Sequence, residues 1–556
     1  MSAHEIARAG ACTVHGVTAG PMDRRHRRAN FARAAMIGCV VLLSGCMKVG
    51  PDFVTPEAAL PDKWAETDDK ELTTQSSDHA AWWTSFDDPV LTRLVDEAYN
   101  QNLTLQIAGL RILEARAQLG IAVGSAWPQQ QQIGASAIYN QPSDNTAGSA
   151  FLDNTWNYNL GFTIGWEIDF WGKFSRSIES ADASLLASIA NYDTILVSLT
   201  ADVADVYVLI RTFEEQLAIA QENVKIQERS LQIADVRFRN GATTELDVQQ
   251  ARTLLLNTQA TIPVLEARIR QAENVLSVLL GRPPGQMRES LGPQGQIPTP
   301  PTQVAVGIPA DLLRRRPDVR GAELQAAAQS ALIGVAKADF YPSVSLLGTI
   351  GLAATESSNT TASGKSGISE WFTSDSLTYA GGPSVSWNIF NYGQISNNVR
   401  VQDARLEQLL VNYRQVVLQA AREVEDNTVG FVRSQEQAKY LAESVVSARR
   451  SVDLAVIQYR DGAADYTRVL NTQQSLLSQQ ERETSARGDI ARNLVGMYRA
   501  LGGGWQLREG NDFVPEAIKT QMRERTNWGE LLTPDAQETA VPPSTTPDDS
   551  YQWPNW

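Results

Sequence analysis

SLQIADVRFRNGATTELDV (Ser230–Val248) and SVDLAVIQYRDGAADYTRV (Ser451–Val469) are two versions of one segment, 221 positions apart. In that register Ala234 aligns with Ala455, Arg239 with Arg460, Gly241 with Gly462, Val248 with Val469 and Gly281 with Gly502. The same offset holds upstream for Trp166 and Trp387, Ile168 and Ile389, and Gly172 and Gly393. Further upstream it becomes 214, where Trp127-Pro128 meets Tyr341-Pro342 and Ala108 meets Ala322. The second half therefore carries the longer loop, and the chain holds two copies of one unit, 83–285 and 309–504. A linker rich in Pro, Gly and Gln joins them at 286–308, a segment at 46–82 precedes them, and a C-terminal extension follows at 505–556. The end of that extension, VPPSTTPDDSYQWPNW, reads as disordered.

Each copy contains a long helical pattern. No Pro occurs from Lys173 to Ile262, nor from Ser384 to Val514. Val206, Ile210, Phe213, Leu217, Ala220, Val224, Leu231, Ala234 and Phe238 recur in heptad steps, with only the slot at Gln227 polar. Phe431, Ala438, Leu441, Val445, Ala448, Val452, Ala455 and Tyr459 repeat the pattern. Gly241 and Gly462 break it, each able to take a left-handed turn. Apolar periodicity then resumes at Leu255, Ile262, Leu265, Ile269 and Leu276. The pattern predicts an antiparallel helical hairpin in each copy, with a first arm of roughly 100 Å. Pro263, whose counterpart is Thr484, predicts a local kink in the first return helix.

The remainder of each copy alternates with period two. In WNYNLGFTIGWEID, Trp156, Tyr158, Leu160, Phe162, Ile164, Trp166 and Ile168 form one face. Asn157, Asn159, Gly161, Thr163, Gly165, Glu167 and Asp169 form the other. The second copy places Leu377, Tyr379, Val385, Trp387 and Ile389 against Thr378, Ser384, Ser386 and Asn388. Partner strands are read at Gln129–Tyr139 and around Val344, Leu346, Ile350 and Leu352. The predicted β-hairpins span about 129–168 and 342–390, with polar loops at 140–155 and 354–370. Strands of this length cross a bilayer at a tilt, which takes about 9–11 residues, and aromatics at both strand ends suit membrane interfaces.

The first 45 residues read as a secretory leader. Arg24, Arg25, Arg27 and Arg28 are followed by an apolar run from Ala34 to Leu43. That run is too short to span a membrane as a helix, which needs about 20 residues. A start at Met22 would give a leader from 22 to 45. Leu43-Ser44-Gly45-Cys46 resembles a bacterial lipobox, which makes Cys46 the acylated first residue of the mature protein. Met47 after it, in place of Asp, points to the outer membrane.

Composition narrows the function. Of 556 residues 43% are apolar and 20% charged, so the chain folds. The formal charge of -15 argues against a nucleic-acid partner. Of four His and three Cys, only His79 and Cys46 follow the leader. That excludes a Cys/His metal site, a disulfide framework and a Ser-His or Cys-His triad, and no cofactor or enzyme activity is expected.

Four strands cannot close a barrel, and an open sheet edge cannot face lipid with its backbone groups unsatisfied. Spanning strands would have to be pooled among copies: two copies give eight strands, three give twelve, four give sixteen, and about twelve or more leave a lumen. The polar faces would then line water and the long helices would continue the tube.

Several strings resemble the TolC-like outer-membrane efflux factors, in the lipoprotein branch serving resistance-nodulation-division (RND) pumps. They are CMKVGPDFVTPE (46–57), WWTSFDDPVLTRLVDEAYNQNLTLQIAGLRILEARAQLG (82–120), LLGRPPG (279–285) and YRDGAADYTRVLNTQQSLL (459–477). The most specific is GIPADLLRRRPDVRGAELQAAAQSALIGVAKADFYPSVSLLG (307–348). The resemblance covers roughly 46–505. It implies a mixed α+β membrane protein: a trimeric 12-stranded transmembrane β-barrel, four strands per protomer, continued by a long periplasmic α-helical barrel. It implies lipid anchoring in the outer membrane, and docking to a periplasmic membrane-fusion adaptor and an inner-membrane RND pump. Its function would be a passive exit duct for drugs and small toxic compounds, gated at the periplasmic tip.

Arg239-Asn240-Gly241 and Arg460-Asp461-Gly462 are then the tip turns that meet the adaptor. By motif Tyr459, Asp465 and Asn471 fall near the gate in the second hairpin, and Asp247 in the first. Acids repeated by symmetry at a narrow mouth would favour cations. Asn471 departs from the Asp that many relatives carry. Arg314-Arg315-Arg316-Pro317-Asp318 reads as a bend with its cations paired to acids. The alternative functions are a duct for type I protein secretion or for metal-ion efflux, and a surface lipoprotein of structural or enzymatic role.

Overall fold

The computed structural model describes residues 48–57, 63–66, 69–70, 72–73, 79–143, 145, 153–285, 287–301, 303–305, 315–357 and 368–533. The leader, Cys46, Arg314 and the C-terminal residues from 534 onward lie outside the described residues.

Local signals set the helix starts. α1 (Pro89–Gln101) begins with proline, and the Asp88 carboxylate accepts from the amides of Val90 (2.8 Å) and Leu91 (3.1 Å). α2 (Leu103–Gly124) is capped by Asn102 through the Leu105 amide at 2.9 Å. It leads into the antiparallel pair β1 (Gln130–Asn140) and β2 (Thr155–Ile168). α3 (Lys173–Arg239) follows and runs 67 residues, and α4 (Glu245–Leu279) returns over 35. The second copy repeats the series: α5 (Pro317–Ala338), β3 (Ser343–Ser357), β4 (Leu377–Ser386), α6 (Gln394–Arg460) and α7 (Tyr466–Ala500). α6 and α7 are again 67 and 35 residues long. α4 runs through Pro263 as one continuous helix.

The α3–α4 and α6–α7 hairpins lie side by side through α3 and α7, while nearer the sheet α3 packs on α2 and α5, and α5 on α6. The main core gathers where α1, α2 and the middle of α3 meet the end of α7, around Trp82, Trp83, Leu91, Ile112, Tyr207 and Leu494. Trp82 stacks on Tyr498 at 5.2 Å. Chain beyond the second copy closes this core: Trp505, Phe513 and Leu532 are buried, and α8 (Glu516–Arg525) lies between the last two. Arg316 forms the expected bend, paired with Asp318 (2.7 Å) and Glu423 (3.0 Å).

All four main strands form one antiparallel sheet in the order β1-β2-β3-β4. The pairing carries the alternation across it. Ile133, Phe162, Ile350 and Tyr379 share one row on the apolar face, as do Ala135, Leu160, Leu352 and Leu377. Gly134, Gly161, Gly351 and Thr378 form a row on the opposite face. Among the described residues the outer edges of β1 and β4 have no partner strand.

β4 ends at Ser386, short of the strand expected to about 390. The reason is register: Ser386 pairs with Ser343, where β3 begins, so Trp387 and Ile389 have no strand opposite. The Trp387 indole instead donates to the Phe340 carbonyl at 3.0 Å, and the chain turns into α6 through Tyr392 (φ 48°) and Gly393 (φ 79°).

Gly351 permits the close approach of β2 and β3. A Cβ there would sit 2.5 Å from the Leu160 carbonyl oxygen and 2.7 Å from the Gly161 Cα. Gly351→Val is therefore expected to force the strands apart and to abolish a heat-resistant oligomer band on mild SDS gels; an unchanged band would contradict this packing.

Candidate functional site

The far end of the two hairpins is built by a turn used twice. Gly241 (φ 70°) and Gly462 (φ 78°) take left-handed backbone. The Gly241 and Ala242 amides donate to the carbonyls of Phe238 (2.9 Å) and Arg237 (2.8 Å). Those of Gly462 and Ala463 donate to Tyr459 (3.1 Å) and Gln458 (2.8 Å). Behind both turns lies a small core of Ala234, Val248, Ala251, Ala455, Tyr459, Tyr466 and Val469. Tyr459 and Tyr466 meet edge to face at 5.3 Å.

One polar network ties the hairpins together at this core. Arg237, in the last turn of α3, donates to the carbonyls of Tyr459 and Arg460, the latter at 3.0 Å. It also reaches its own turn at the Ala242 carbonyl, 3.3 Å away. Its guanidinium lies 4.8 Å from the Tyr459 ring centre. A cation thus adds a second donor to the Tyr459 carbonyl and satisfies that of Arg460 at the C-terminus of α6, where the helix dipole also favours positive charge. The Tyr459 hydroxyl donates to Asp247 Oδ2 at 3.1 Å, and the Thr243 hydroxyl donates to the same oxygen. Burial pushes the Tyr459 phenol up, and pushes that of Tyr466 up as well. Both phenols therefore stay protonated at neutral pH, and that of Tyr459 donates to Asp247.

Of the residues read from sequence, Tyr459 and Asp247 are brought together here. Asp465 is exposed and caps α7, accepting from the Arg468 amide at 3.3 Å. Asn471 is exposed further along α7. Arg239 pairs with Asp235 at 2.6 Å, the Asn240 side chain donates to the Val236 carbonyl at 2.8 Å, and Arg460 pairs with adjacent Asp461 at 3.1 Å. Cys46 lies outside the described residues.

Arg237 and Thr243 were not singled out by the sequence reading. The signal that marks them is divergence between the copies. At an offset of 221, Arg237 aligns with Gln458, Thr243 with Ala464 and Asp247 with Arg468. In the second copy Arg468 bonds Gln458 of its own hairpin at 3.0 Å on the exposed surface, whereas in the first the cation and the acid reach across to Tyr459.

Above the tip the seam between α3 and α7 is polar. Asn223 bonds Gln480 at 2.8 Å and Ser230 bonds Gln473 at 2.7 Å, all buried. Gln227 lies between them, 1% exposed, with neither amide atom bonded. Higher still, Arg487 pairs with Glu215, Arg492 with Asp205 (2.7 Å) and Arg499 with Asp202 (3.0 Å).

The sequence profile described as Outer membrane efflux protein matches residues 94–282 and 308–503. Nodulation protein T of Rhizobium leguminosarum bv. trifolii is 32% identical, over 84% of this chain and 96% of that protein. The pyoverdine export outer membrane protein OpmQ of Pseudomonas putida is 31% identical, over 76% of this chain and 88% of its own. The solved outer-membrane channel OprN superposes with a TM-score of 0.76 at 32% identity, over 82% of this chain and 99% of its own. Each matched segment covers most of one copy of the repeat, so the chain belongs to the outer membrane efflux protein family and is an outer-membrane efflux channel.

Proposed function

We propose that three copies pool their sheets into one twelve-stranded barrel, continued by a helical tube, as the exit duct of a tripartite RND-type pump for drugs and small toxic compounds. The carrying observation is the four-stranded antiparallel sheet with one continuous apolar face, whose two edges have no partner strand among the described residues. In a bilayer such edges are tolerable only when a neighbouring copy pairs with them.

The tip network holds this duct shut, with Arg237, Tyr459 and Asp247 as the latch and Asp465 and Asn471 on the rim below it. The turns at Arg239-Asn240-Gly241 and Arg460-Asp461-Gly462 present the surface for the adaptor.

Cys46 is the acylated anchor in this reading. Its placement is supported by the first described residues, which are pinned at the foot of the sheet. The Val49 amide donates to the Trp171 carbonyl at 3.1 Å. Buried Arg176 holds Asp52 at 2.6 Å. The same guanidinium donates to the Val49 carbonyl at 3.3 Å.

Deleting the gene is expected to lower tolerance to drugs, dyes and bile salts, with rescue by the wild-type chain, and the purified protein should run as a trimer in detergent. A monomer in detergent would sink the barrel; unchanged tolerance alongside lost secretion of a protein, or lost cation tolerance, would reassign the cargo.

A further inference from the structure

We propose that Glu167 sets the ionic preference of the barrel, as a ring of carboxylates at its periplasmic rim. This rests on the closed barrel proposed above. The pairing fixes which residues share the inward, polar face: from β1, Gln130, Gln132, Gly134 and Ser136; from β2, the positions Asn157 to Glu167 in steps of two; from β3 and β4, their partners. Among the described residues of that face, Glu167 is the one ionisable side chain; its neighbours are amides, hydroxyls, glycine, alanine and single leucine and isoleucine residues. The other strand carboxylate, Glu356, pairs with Trp156 on the outward face at the far end and accepts from the Tyr158 hydroxyl at 3.3 Å.

The position of Glu167 is built. β1 has ended by this level, since the last pair is Gln130 with Gly165. The Gln129 side chain takes over, accepting from the Glu167 amide at 2.7 Å and donating to its carbonyl at 3.3 Å. Opposite stands Ser345, so the backbone is held on both sides. A cavity of about 140 Å³ opens here, lined by Glu167, Lys173, Asp339, Ser343, Ser386 and Asn388. The other charges around it are matched. Lys173 pairs with Asp339 at 2.9 Å, and Asp169 caps α3 through the amides of Phe174 (3.0 Å) and Ser175 (2.8 Å). No cation of the described residues forms an ion pair with Glu167, so its charge is left to the lumen.

Three such carboxylates at one level give a wall potential that draws cations and repels anions. Ionic screening extends over about 10 Å at 0.1 M salt, so the preference should fade as salt rises.

The test uses the full-length protein with its tip released by Arg237→Ala, in planar lipid films across a tenfold KCl gradient. Relative to that parent, Glu167→Gln is expected to lower the cation-over-anion permeability ratio by roughly twofold. Glu167→Lys should carry the ratio past unity towards anions, and Glu356→Gln should leave it unchanged. A conducting parent whose reversal potential is the same with Glu, Gln or Lys at 167 overturns the assignment and leaves the duct standing. A parent that does not conduct even with Tyr459→Phe and Asp247→Ala added, and that runs as a monomer in detergent, overturns the barrel and this assignment with it.

Discussion

Arg237→Ala opens the duct: purified protein in planar lipid films is expected to pass at least tenfold more current than wild type at the same voltage. Arg237 bonds both turns, through the carbonyls of Tyr459, Arg460 and Ala242. Hydrogen bonds from a charged donor contribute about 1.5–3 kcal/mol each when buried. Two of these three bonds are exposed, so about 1 kcal/mol per copy is the safer figure. Three copies latched together then lose roughly 3 kcal/mol, about a hundredfold in the ratio of closed to open. Arg237→Lys keeps the charge at the end of α6 but not the forked geometry, so it should fall between the two. Tyr459→Phe removes the bond to Asp247 and leaves the ring under the guanidinium, so its effect should be smaller than that of Arg237→Ala. A wild-type current from Arg237→Ala would mean that closure resides elsewhere, and the polar seam of α3 and α7 would be the next place to test.

The parts of this fold set by local chemistry are legible in the sequence. Alternation over Trp156–Ile168 gave one greasy face, and the pairing keeps that face continuous across four strands. Glycines at 241 and 462 marked where the long arms end, because the left-handed turn there excludes most other residues. What depends on distant partners was not legible. Gln227 reads as a lapse in a heptad, yet it lies inside the hairpin pair with Asn223 and Ser230, because α7 sets Gln473 and Gln480 opposite. Arg237 looks like any basic residue near a helix end; its role comes from carbonyls more than two hundred positions away. The segment from Trp505 onward has no counterpart in the first copy, and its sequence gives no sign that residues 505–533 fold back into the core.

The second large effect is expected at a buried pair that anchors this returning segment: Arg508→Ala should cost about 3–5 kcal/mol of stability near neutral pH. Arg508 is 1% exposed and grips Asp193 of α3 with two nitrogens, one at 3.1 Å. It also lies between the rings of Trp505 and Phe513, at 5.6 and 5.3 Å. Burial pushes the Asp193 carboxyl up, while Arg508 and, more weakly, Arg320 pull it back. Removing Arg508 leaves the upward push largely unopposed. The sign of the pH dependence follows. Below the unfolded pKa, about 3.9, Asp193 is protonated in both states and burying it incurs no charge penalty. As pH rises towards the raised folded value, the unfolded chain ionises first, and the variant loses stability until the folded carboxyl ionises too. The deficit of Arg508→Ala relative to wild type should therefore shrink between pH 7.5 and pH 4.5 in thermal melts. Proteolysis of the variant at pH 7.5 should cut first between residues 505 and 533. The double variant Arg508→Met, Asp193→Leu should regain most of the loss, because an apolar pair of similar volume leaves no buried charge behind. A deficit equal at both pH values, and not repaired by the double variant, would place the contribution of Arg508 in its packing against Trp505 and Phe513 instead of in its charge.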